Sequence, residues 1–183
     1  MGQVASAAEL KELARRLYQT CQLRGEFTLR SGQIATEYFD KHRFEAQPAL
    51  LEPVAKAMAR LIPAETDVLA ALELGGIPLA TAISLQSGLP VAFVRKKAKE
   101  YGTRRLAEGL GSLQGLDACI VEDIVTTGGQ VLASASDLRH AGAKVRNVIC
   151  AIVRHPDAEA ALRAAGLHLR SLFTQDELEL AAR

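Results

Sequence analysis

The sequence predicts an α/β domain in which a central, mainly parallel sheet is flanked by helices. From residue 67 onward, short apolar runs typical of buried strands alternate with segments of helical periodicity. The chain has 183 residues, of which 49% are hydrophobic, and this suffices for one domain with a sizeable core. We expect a single domain over residues 1–183, with a small N-terminal addition over about residues 1–45 and the α/β core over about residues 48–183.

The first predicted elements belong to the N-terminal addition. Apolar side chains at helical spacing predict an amphipathic helix from Ala7 to about Leu23. Residues 27–29 and 36–39 flank the turn residues Ser31-Gly32, which predicts a β-hairpin. A second helix is predicted from about Pro48 to Leu61.

The alternating part of the chain supplies the strands and helices of the core. The predicted strands are 67–73, 90–94, 118–122, 145–153 and 167–173. The predicted helices are 78–86, 131–140, 157–165 and 176–182. In parallel sheets ligands bind beyond the carboxyl ends of the strands, which we call the carboxyl edge. The long polar segment 95–115 leaves this edge, and loops of such length tend to be functional or mobile.

Composition and charge exclude several classes of function. The net charge of +1 argues against a protein that coats nucleic acid or an anionic membrane, and 4% aromatic residues without Trp argue against base-stacking surfaces. No apolar run is long enough to span a bilayer, and no signal-peptide pattern is present at the N-terminus. Cys21, Cys119 and Cys150 share no metal-ligand spacing, so we expect buried thiols in a cytoplasmic protein without nucleic-acid or membrane partners.

The most informative segment is Ala118–Gln130, where an apolar strand pattern runs into polar residues and then a helix. Glu122 and Asp123 end the predicted strand, and Thr126-Thr127-Gly128-Gly129 follow as a tight loop. Free N–H groups at a helix start bind phosphate, and the acids can take ribose hydroxyl groups or a metal ion. The segment predicts a sugar-phosphate site. A pair of helix-capping acids is the alternative.

A basic segment follows the strand that ends at Val94. Residues 95–105 contain six cations, and the run begins where a parallel strand delivers its loop to the carboxyl edge. A cationic flap of this kind can close over a polyphosphate and exclude water. A solvated charge run is the alternative interpretation.

Two further features lie at predicted strand ends. Leu74-Gly75-Gly76-Ile77-Pro78 is a glycine-rich turn that can present N–H groups to a second phosphate cluster, or simply pack a helix closely on a strand. Arg154 can clamp a carboxylate bidentately, or form a surface ion pair. The four histidines show no ligand spacing and are expected to be structural or exposed: His42, His140, His155 and His168.

These motifs resemble those of the type I phosphoribosyltransferases. Val121-Glu-Asp-Ile-Val-Thr-Thr-Gly-Gly129 is similar to the motif that binds phosphoribosyl diphosphate (PRPP) in that family. Phe27-Thr-Leu-Arg-Ser-Gly32, followed by Tyr38-Phe-Asp40, resembles the N-terminal hood of the orotate-specific members. Arg95-Lys96-Lys97-x-Lys99 resembles their catalytic flap, and Arg154 falls where their orotate-binding arginine lies.

The resemblance extends from about residue 10 to residue 173 and implies the type I phosphoribosyltransferase fold, with a small N-terminal hood and a mobile flap near residues 95–115. It also implies an activity. The phosphoribosyl group of PRPP is transferred to orotate, which gives orotidine 5′-phosphate and diphosphate in pyrimidine synthesis. Two alternatives are transfer to another nucleobase and a PRPP-sensing regulator without turnover.

Substrate-binding roles follow from the resemblance. Glu122 and Asp123 would hold the ribose hydroxyl groups of PRPP. The motif continues through Ile124, Val125, Thr126, Thr127, Gly128, Gly129 and Gln130, of which the last five would bind the 5-phosphate. Gly75 and Gly76 would face the diphosphate. The orotate side would be formed by Thr126, Arg154, Arg30, Tyr38 and Phe39.

Catalytic roles fall on the flap. Lys99, Arg95 and Lys96 would neutralise the diphosphate, with the flap donated to a neighbouring subunit in a homodimer. Mg²⁺ would bind the diphosphate rather than a cage of protein side chains. The chain departs from the common family pattern at three positions: Tyr101 replaces a flap histidine, Gly75 a lysine, and Arg30 a hood lysine.

Overall fold

The computed structural model describes residues 6–28, 32–96 and 107–183. Arg30, Lys99 and Tyr101, three of the positions singled out in the sequence, lie outside these ranges.

The N-terminal part begins with helix α1 (Ala7–Cys21), which Ser6 caps through reciprocal hydrogen bonds with Glu9. Strands β1 (Gln22–Thr28) and β2 (Ile34–Phe39) pair antiparallel, which confirms the predicted hairpin. The short helix α2 (His42–Glu45) was not predicted, since four residues are too few to show a helical period.

The chain continues through one α/β sheet. Its strands are β3 (Val68–Leu72), β4 (Val91–Val94), β5 (Ala107–Glu108), β6 (Asp117–Val125), β7 (Lys144–Val153) and β8 (His168–Thr174). The helices are α3 (Pro48–Met58), α4 (Gly76–Ser87), α5 (Gly129–His140), α6 (Asp157–Ala164) and α7 (Gln175–Ala181). The 3-10 turn Ala59–Leu61 extends α3.

The strand order is β5-β4-β3-β6-β7-β8, and every neighbouring pair except β4 and β5 is parallel. The predicted strands and core helices are confirmed, with ends that shift by up to three residues. Strand β5 was missed because it has only two residues and lies inside the polar segment 95–115. The predicted α/β class with a mainly parallel sheet is therefore confirmed.

Two apolar cores cover the two faces of the sheet. On one face α1, α3, α4 and α7 pack on the strands, and on the other face α5 and α6 do so. None of the described helices combines the length and the apolarity that crossing a bilayer requires. The three cysteines are free and buried, as predicted, and burial raises the pKa of Cys21 and of Cys119 to about 12.

Strand β6 is longer than predicted at its carboxyl end. We expected the strand to stop at Glu122, but it pairs with β7 as far as Val125. The β-branched residues Ile124 and Val125 favour this extension, since they face Ile152 and Val153 of β7. Glu122 and Asp123 therefore lie within a strand and are buried.

The start of α4 is packed directly on β6, and this contact depends on a glycine. A Cβ atom at Gly76 would lie 2.3 Å from the carbonyl oxygen of Val121, so Gly76→Ala forces the helix away from the strand. We expect a loss of about 1–3 kcal/mol in the free energy of unfolding, measured by thermal denaturation. Gly111→Ala is the matched control, because Gly111 has open space around it. Equal stability of the two variants would contradict this packing.

Candidate functional site

The candidate site lies at the carboxyl edge, where three distant parts of the chain meet at the end of β6. Asp123 has no exposed surface, and the Lys41 ammonium lies 2.9 Å from its Oδ1 and 2.7 Å from its Oδ2. The backbone N–H of Ile124 also donates to Oδ1, over 2.5 Å. Burial lowers the pKa of Lys41, but the charge of Asp123 and its hydrogen bond outweigh burial, so the pKa is raised. Lys41 therefore carries its positive charge against this carboxyl group.

A third carboxyl group, from Glu45 of α2, lies against Asp123. Burial raises the pKa of Glu45 to about 9, and its hydrogen bond to Asp123 and the Asp123 charge act in the same direction. The raised pKa favours the protonated form of Glu45, in which the carboxyl group can donate to Asp123. Its Oε2 lies 2.7 Å from Nδ1 of His42. His42 is exposed, as expected, but it supports a buried group that its sequence spacing did not indicate.

Glu122 points to a different environment from its neighbour. Burial, and to a smaller extent the charge of Asp123, raise the pKa of Glu122 to about 8. Its Oε2 is buried and has no hydrogen-bond partner within the described part of the chain. The two adjacent acids therefore differ in their surroundings: the Lys41 ammonium lies 2.7 Å from Oδ2 of Asp123, whereas burial favours the protonated form of Glu122.

The glycine-rich turn between β3 and α4 packs on these acids. A Cβ atom at Gly75 would lie 1.7 Å from Oδ2 of Asp123 and 2.9 Å from Oε1 of Glu45. The close-packing interpretation of this turn therefore holds at Gly75, as it does at Gly76. The structure leaves no space at position 75 for the lysine of some relatives, whereas Lys41 approaches the same Oδ2 from elsewhere. The Glu73–Leu74 peptide bond of the turn is cis.

The phosphate-binding candidate lies between β6 and α5. Thr126 and Thr127 are exposed, and Gly128 adopts φ +82°, a left-handed conformation that favours glycine. Helix α5 starts at Gly129 without a side-chain cap, so its first N–H groups are left for a ligand. Gln130, in the first turn of α5, donates through Nε2 to Oγ of Ser134, over 3.2 Å. Glu122 and Asp123 lie within β6 and do not cap this helix, so the capping alternative is wrong, and the anion site stays a prediction.

Arg154 and the hairpin meet at the same edge. The Arg154 N–H donates to the carbonyl of Val125, over 2.9 Å, and its guanidinium lies 5.4 Å from the centre of the Phe39 ring. Its Nε is 3.4 Å from Oε1 of Gln175. The Arg154 guanidinium thus contacts an aromatic ring and an amide, and neither is a carboxylate. These contacts do not support the alternative that Arg154 forms a surface ion pair. Tyr38 is half exposed and stacks on Phe27, with ring centres 5.5 Å apart.

The described part of the flap starts beside the glycine-rich turn. The Lys96 N–H donates to Oε1 of Glu73, over 2.6 Å, and Nε of Arg95 lies 3.9 Å from Oε1 of Glu108. Lys99, which was assigned the leading catalytic role, is outside the described residues.

The sequence interpretation missed Lys41, Glu45 and Glu73. Lys41 and Glu45 are four residues apart, the spacing that places side chains on one side of a helix. Their position directly after the hood motif was the one local signal for them. Asp123 is 82 residues away from Lys41, so no local pattern could have joined the two.

Comparisons with known proteins agree with this geometry. The sequence profile of the phosphoribosyl transferase domain matches residues 41–166. The orotate phosphoribosyltransferase of a Nocardioides species is 52% identical, and the match covers 92% of this chain and 94% of that protein. The orotate phosphoribosyltransferase of Methanocella arvoryzae is 41% identical over 91% of this chain and 95% of that protein.

Solved structures give the same assignment. The chain is similar to the orotate phosphoribosyltransferase of Mycobacterium tuberculosis in complex with inorganic phosphate, with a TM-score of 0.83, 28% identity, and 94% and 99% of the two chains covered. The complex of that enzyme with PRPP matches with a TM-score of 0.79 and 28% identity, over 93% and 98% of the chains. The chain belongs to the phosphoribosyl transferase family and, within it, to the orotate phosphoribosyltransferases.

Proposed function

We propose that this chain transfers the phosphoribosyl group of PRPP to orotate, giving orotidine 5′-phosphate and diphosphate in pyrimidine biosynthesis. One observation carries the proposal: paired buried acids, an uncapped helix start and Arg154 lie together at the carboxyl edge. Relatives at 52% and 41% identity bear the name of this activity, and a structural neighbour was crystallised with PRPP.

PRPP lies along β6 and the start of α5 in this proposal. Asp123 and Glu122 take the ribose hydroxyl groups, and the segment from Ile124 to Gln130 surrounds the 5-phosphate. The exposed hydroxyl groups of Thr126 and Thr127 and the N–H groups of Gly129 and Gln130 donate to the phosphate oxygens. The helix start adds a partial positive charge.

Orotate lies between the hairpin and Arg154. An arginine binds a planar carboxylate through two parallel hydrogen bonds, and orotate is the nucleobase with such a group. Phe39 and Tyr38 offer aromatic surface on this side, with Thr126 and Arg30 as further contacts. Another nucleobase lacks the carboxylate that Arg154 would bind, so orotate is preferred.

The leaving diphosphate faces the glycine turn and the flap. Breaking the bond between ribose C1 and diphosphate leaves positive charge on the sugar and negative charge on the leaving group. Arg95, Lys96 and Lys99 neutralise the leaving group, and Gly75 and Gly76 allow it close to the backbone. Orotate attacks through N1, whose proton leaves as the bond to ribose C1 forms. The departing diphosphate can accept that proton, so no strong general base is required of the protein.

Magnesium enters with the substrate in this proposal. Within the described residues, His42, Glu45 and Asp123 form a group of possible ligands whose atoms lie within 4.8 Å of one another. The Lys41 ammonium already contacts both Asp123 oxygens, so this group does not fit a magnesium cage. Bound to the diphosphate, Mg²⁺ would neutralise part of its charge.

Two broader assignments belong to the same proposal. The chain would act as a homodimer in which the flap of one subunit reaches the site of its neighbour. It would act in the cytoplasm, where three unpaired cysteines remain reduced.

The direct test is an absorbance assay for orotidine 5′-phosphate formed from orotate and PRPP with Mg²⁺. We expect turnover by the native chain, and Lys99→Ala should lower kcat by roughly 100- to 1000-fold through loss of a donor to the leaving group. Lys11→Ala on the exposed side of α1 is the control. A native chain that binds PRPP without turnover would favour the regulator, and full activity of Lys99→Ala would remove that residue from the mechanism.

Arg154→Ala tests the orotate side. Loss of a charged hydrogen-bonded pair should raise the KM for orotate by about 30-fold, while the KM for PRPP changes far less. Arg146→Ala is the matched control, because Arg146 lies near the start of β7, whereas Arg154 follows the end of that strand, and Arg146 pairs with Asp117. Steady-state kinetics with each substrate varied decide the matter, and equal effects on both KM values would show that Arg154 is misassigned.

Glu122→Gln tests whether the buried acid Glu122 lowers the stability of the folded chain while it contributes to PRPP binding. Folding raises the pKa of Glu122 from 4.5 to about 8, so stability falls as pH rises through that interval and the unfolded chain releases the proton. Glutamine removes this loss, and we expect the melting temperature at pH 8 without ligand to rise by roughly 5 °C. PRPP affinity, measured by calorimetry, should fall. The exposed Glu52→Gln is the control, and an unchanged melting temperature would count against a buried neutral Glu122.

A further inference from the structure

We propose that Lys41 and Glu45 are positioning residues, which hold the Asp123 carboxylate charged and correctly oriented for the ribose hydroxyl groups of PRPP. The inference rests on the proposed function, since it assigns the support of a group in that binding site. Neither residue belongs to the PRPP motif, the hood motif or the flap.

The buried carboxylate of Asp123 requires a compensating charge. Asp123 is fully buried within a strand, and an ionised carboxylate in such a place is strongly unfavourable unless it is paired and hydrogen-bonded. Lys41 supplies the opposite charge, at 2.9 Å and 2.7 Å from the two carboxylate oxygens. About one third of the Lys41 side chain is exposed, so its charge is only partly desolvated. Lys41 therefore compensates the charge of the buried Asp123 carboxylate.

Several neighbouring groups also fix the orientation of the Asp123 carboxylate. Contacts from one ammonium to both oxygens, together with the Ile124 N–H on Oδ1, fix the plane of the carboxylate. Glu45 and Gly75 limit movement of the carboxylate from another side. The space between Gly75 and the two acids is too small for a single added carbon atom at position 75. His42 in turn holds the second oxygen of Glu45, at 2.7 Å. The Asp123 carboxylate, which has no exposed surface, is thus held in one orientation before a ligand binds.

A second lysine–aspartate pair allows the proposed effect of Lys41 on PRPP binding to be separated from the effect of removing any lysine charge. Lys144 pairs with Asp117 at the other end of β6, but it is 3.6 Å away, more exposed, and Arg146 shares the same acid. The chain therefore contains two Lys–Asp pairs on one strand. One lies at the PRPP site and one is remote from it, which allows a matched comparison.

Kinetics of Lys41→Met and Lys144→Met provide the test, since methionine has a similar length and no charge. We expect Lys41→Met to raise the KM for PRPP by about 10- to 100-fold, the usual cost of losing a group that orients a binding residue. The KM for orotate should change by less than about threefold, and Lys41→Arg should recover most of the loss. Lys144→Met should behave as the native chain. Equal shifts in both KM values, or no shift for PRPP, would overturn the proposal.

Loss of Lys41 can also unfold the chain, so a double variant separates stability from binding. Lys41→Met with Asp123→Asn removes both charges, and it should melt at a higher temperature than Lys41→Met alone. Additive shifts in melting temperature for the two single changes would show that the residues are not coupled.

Glu45 is tested with a pair of substitutions. Glu45→Gln keeps a donor toward Asp123, and Glu45→Ala removes it, so the alanine variant should lose more PRPP affinity, by about tenfold. Equal affinities would remove Glu45 from the proposal. An inactive native chain would contradict the proposed function instead, which the unmodified protein decides before any variant is made.

Discussion

The ion pair between Asp123 and Lys41 is the constraint on which the rest of the site depends. A carboxylate without solvent exposure is tolerated in the folded chain only if a cation and a backbone N–H compensate it. This requirement draws the segment after β2 onto the end of β6, and it leaves no room for a side chain at Gly75. Three segments far apart in sequence are thereby brought to a single point.

The sheet positions this ion pair relative to the other residues of the proposed site. Strand β6 lies between β3 and β7, so its carboxyl end is covered by helices on both faces. The register with β7 then places Arg154 beside Val125, through one backbone hydrogen bond. The relative positions of Glu122, Asp123 and Arg154 are thus set by strand pairing rather than by flexible loops.

Much of the fold could be predicted from the sequence, because the hydrophobic period, the positions of glycines and the ends of strands can each be recognised in a few consecutive residues. The parallel core, the hairpin and the acids of β6 were found in this way. Strand β5 and helix α2 were missed since they are too short to show a period. The partners of Asp123 were missed for another reason: Lys41 and Glu45 acquire their function only through contacts that the whole fold creates.

The hairpin and the helix after it connect the two halves of the site. Phe39 ends β2 and contacts the Arg154 guanidinium, and Lys41, two residues later, contacts Asp123. A displacement of this short segment therefore alters the proposed orotate clamp and the proposed ribose acceptor together. Its position is fixed by the Asp40 N–H, which donates to the carbonyl of Cys21 at the buried end of α1. The N-terminal helix thus supports the proposed site, because it anchors a segment that contacts both Arg154 and Asp123.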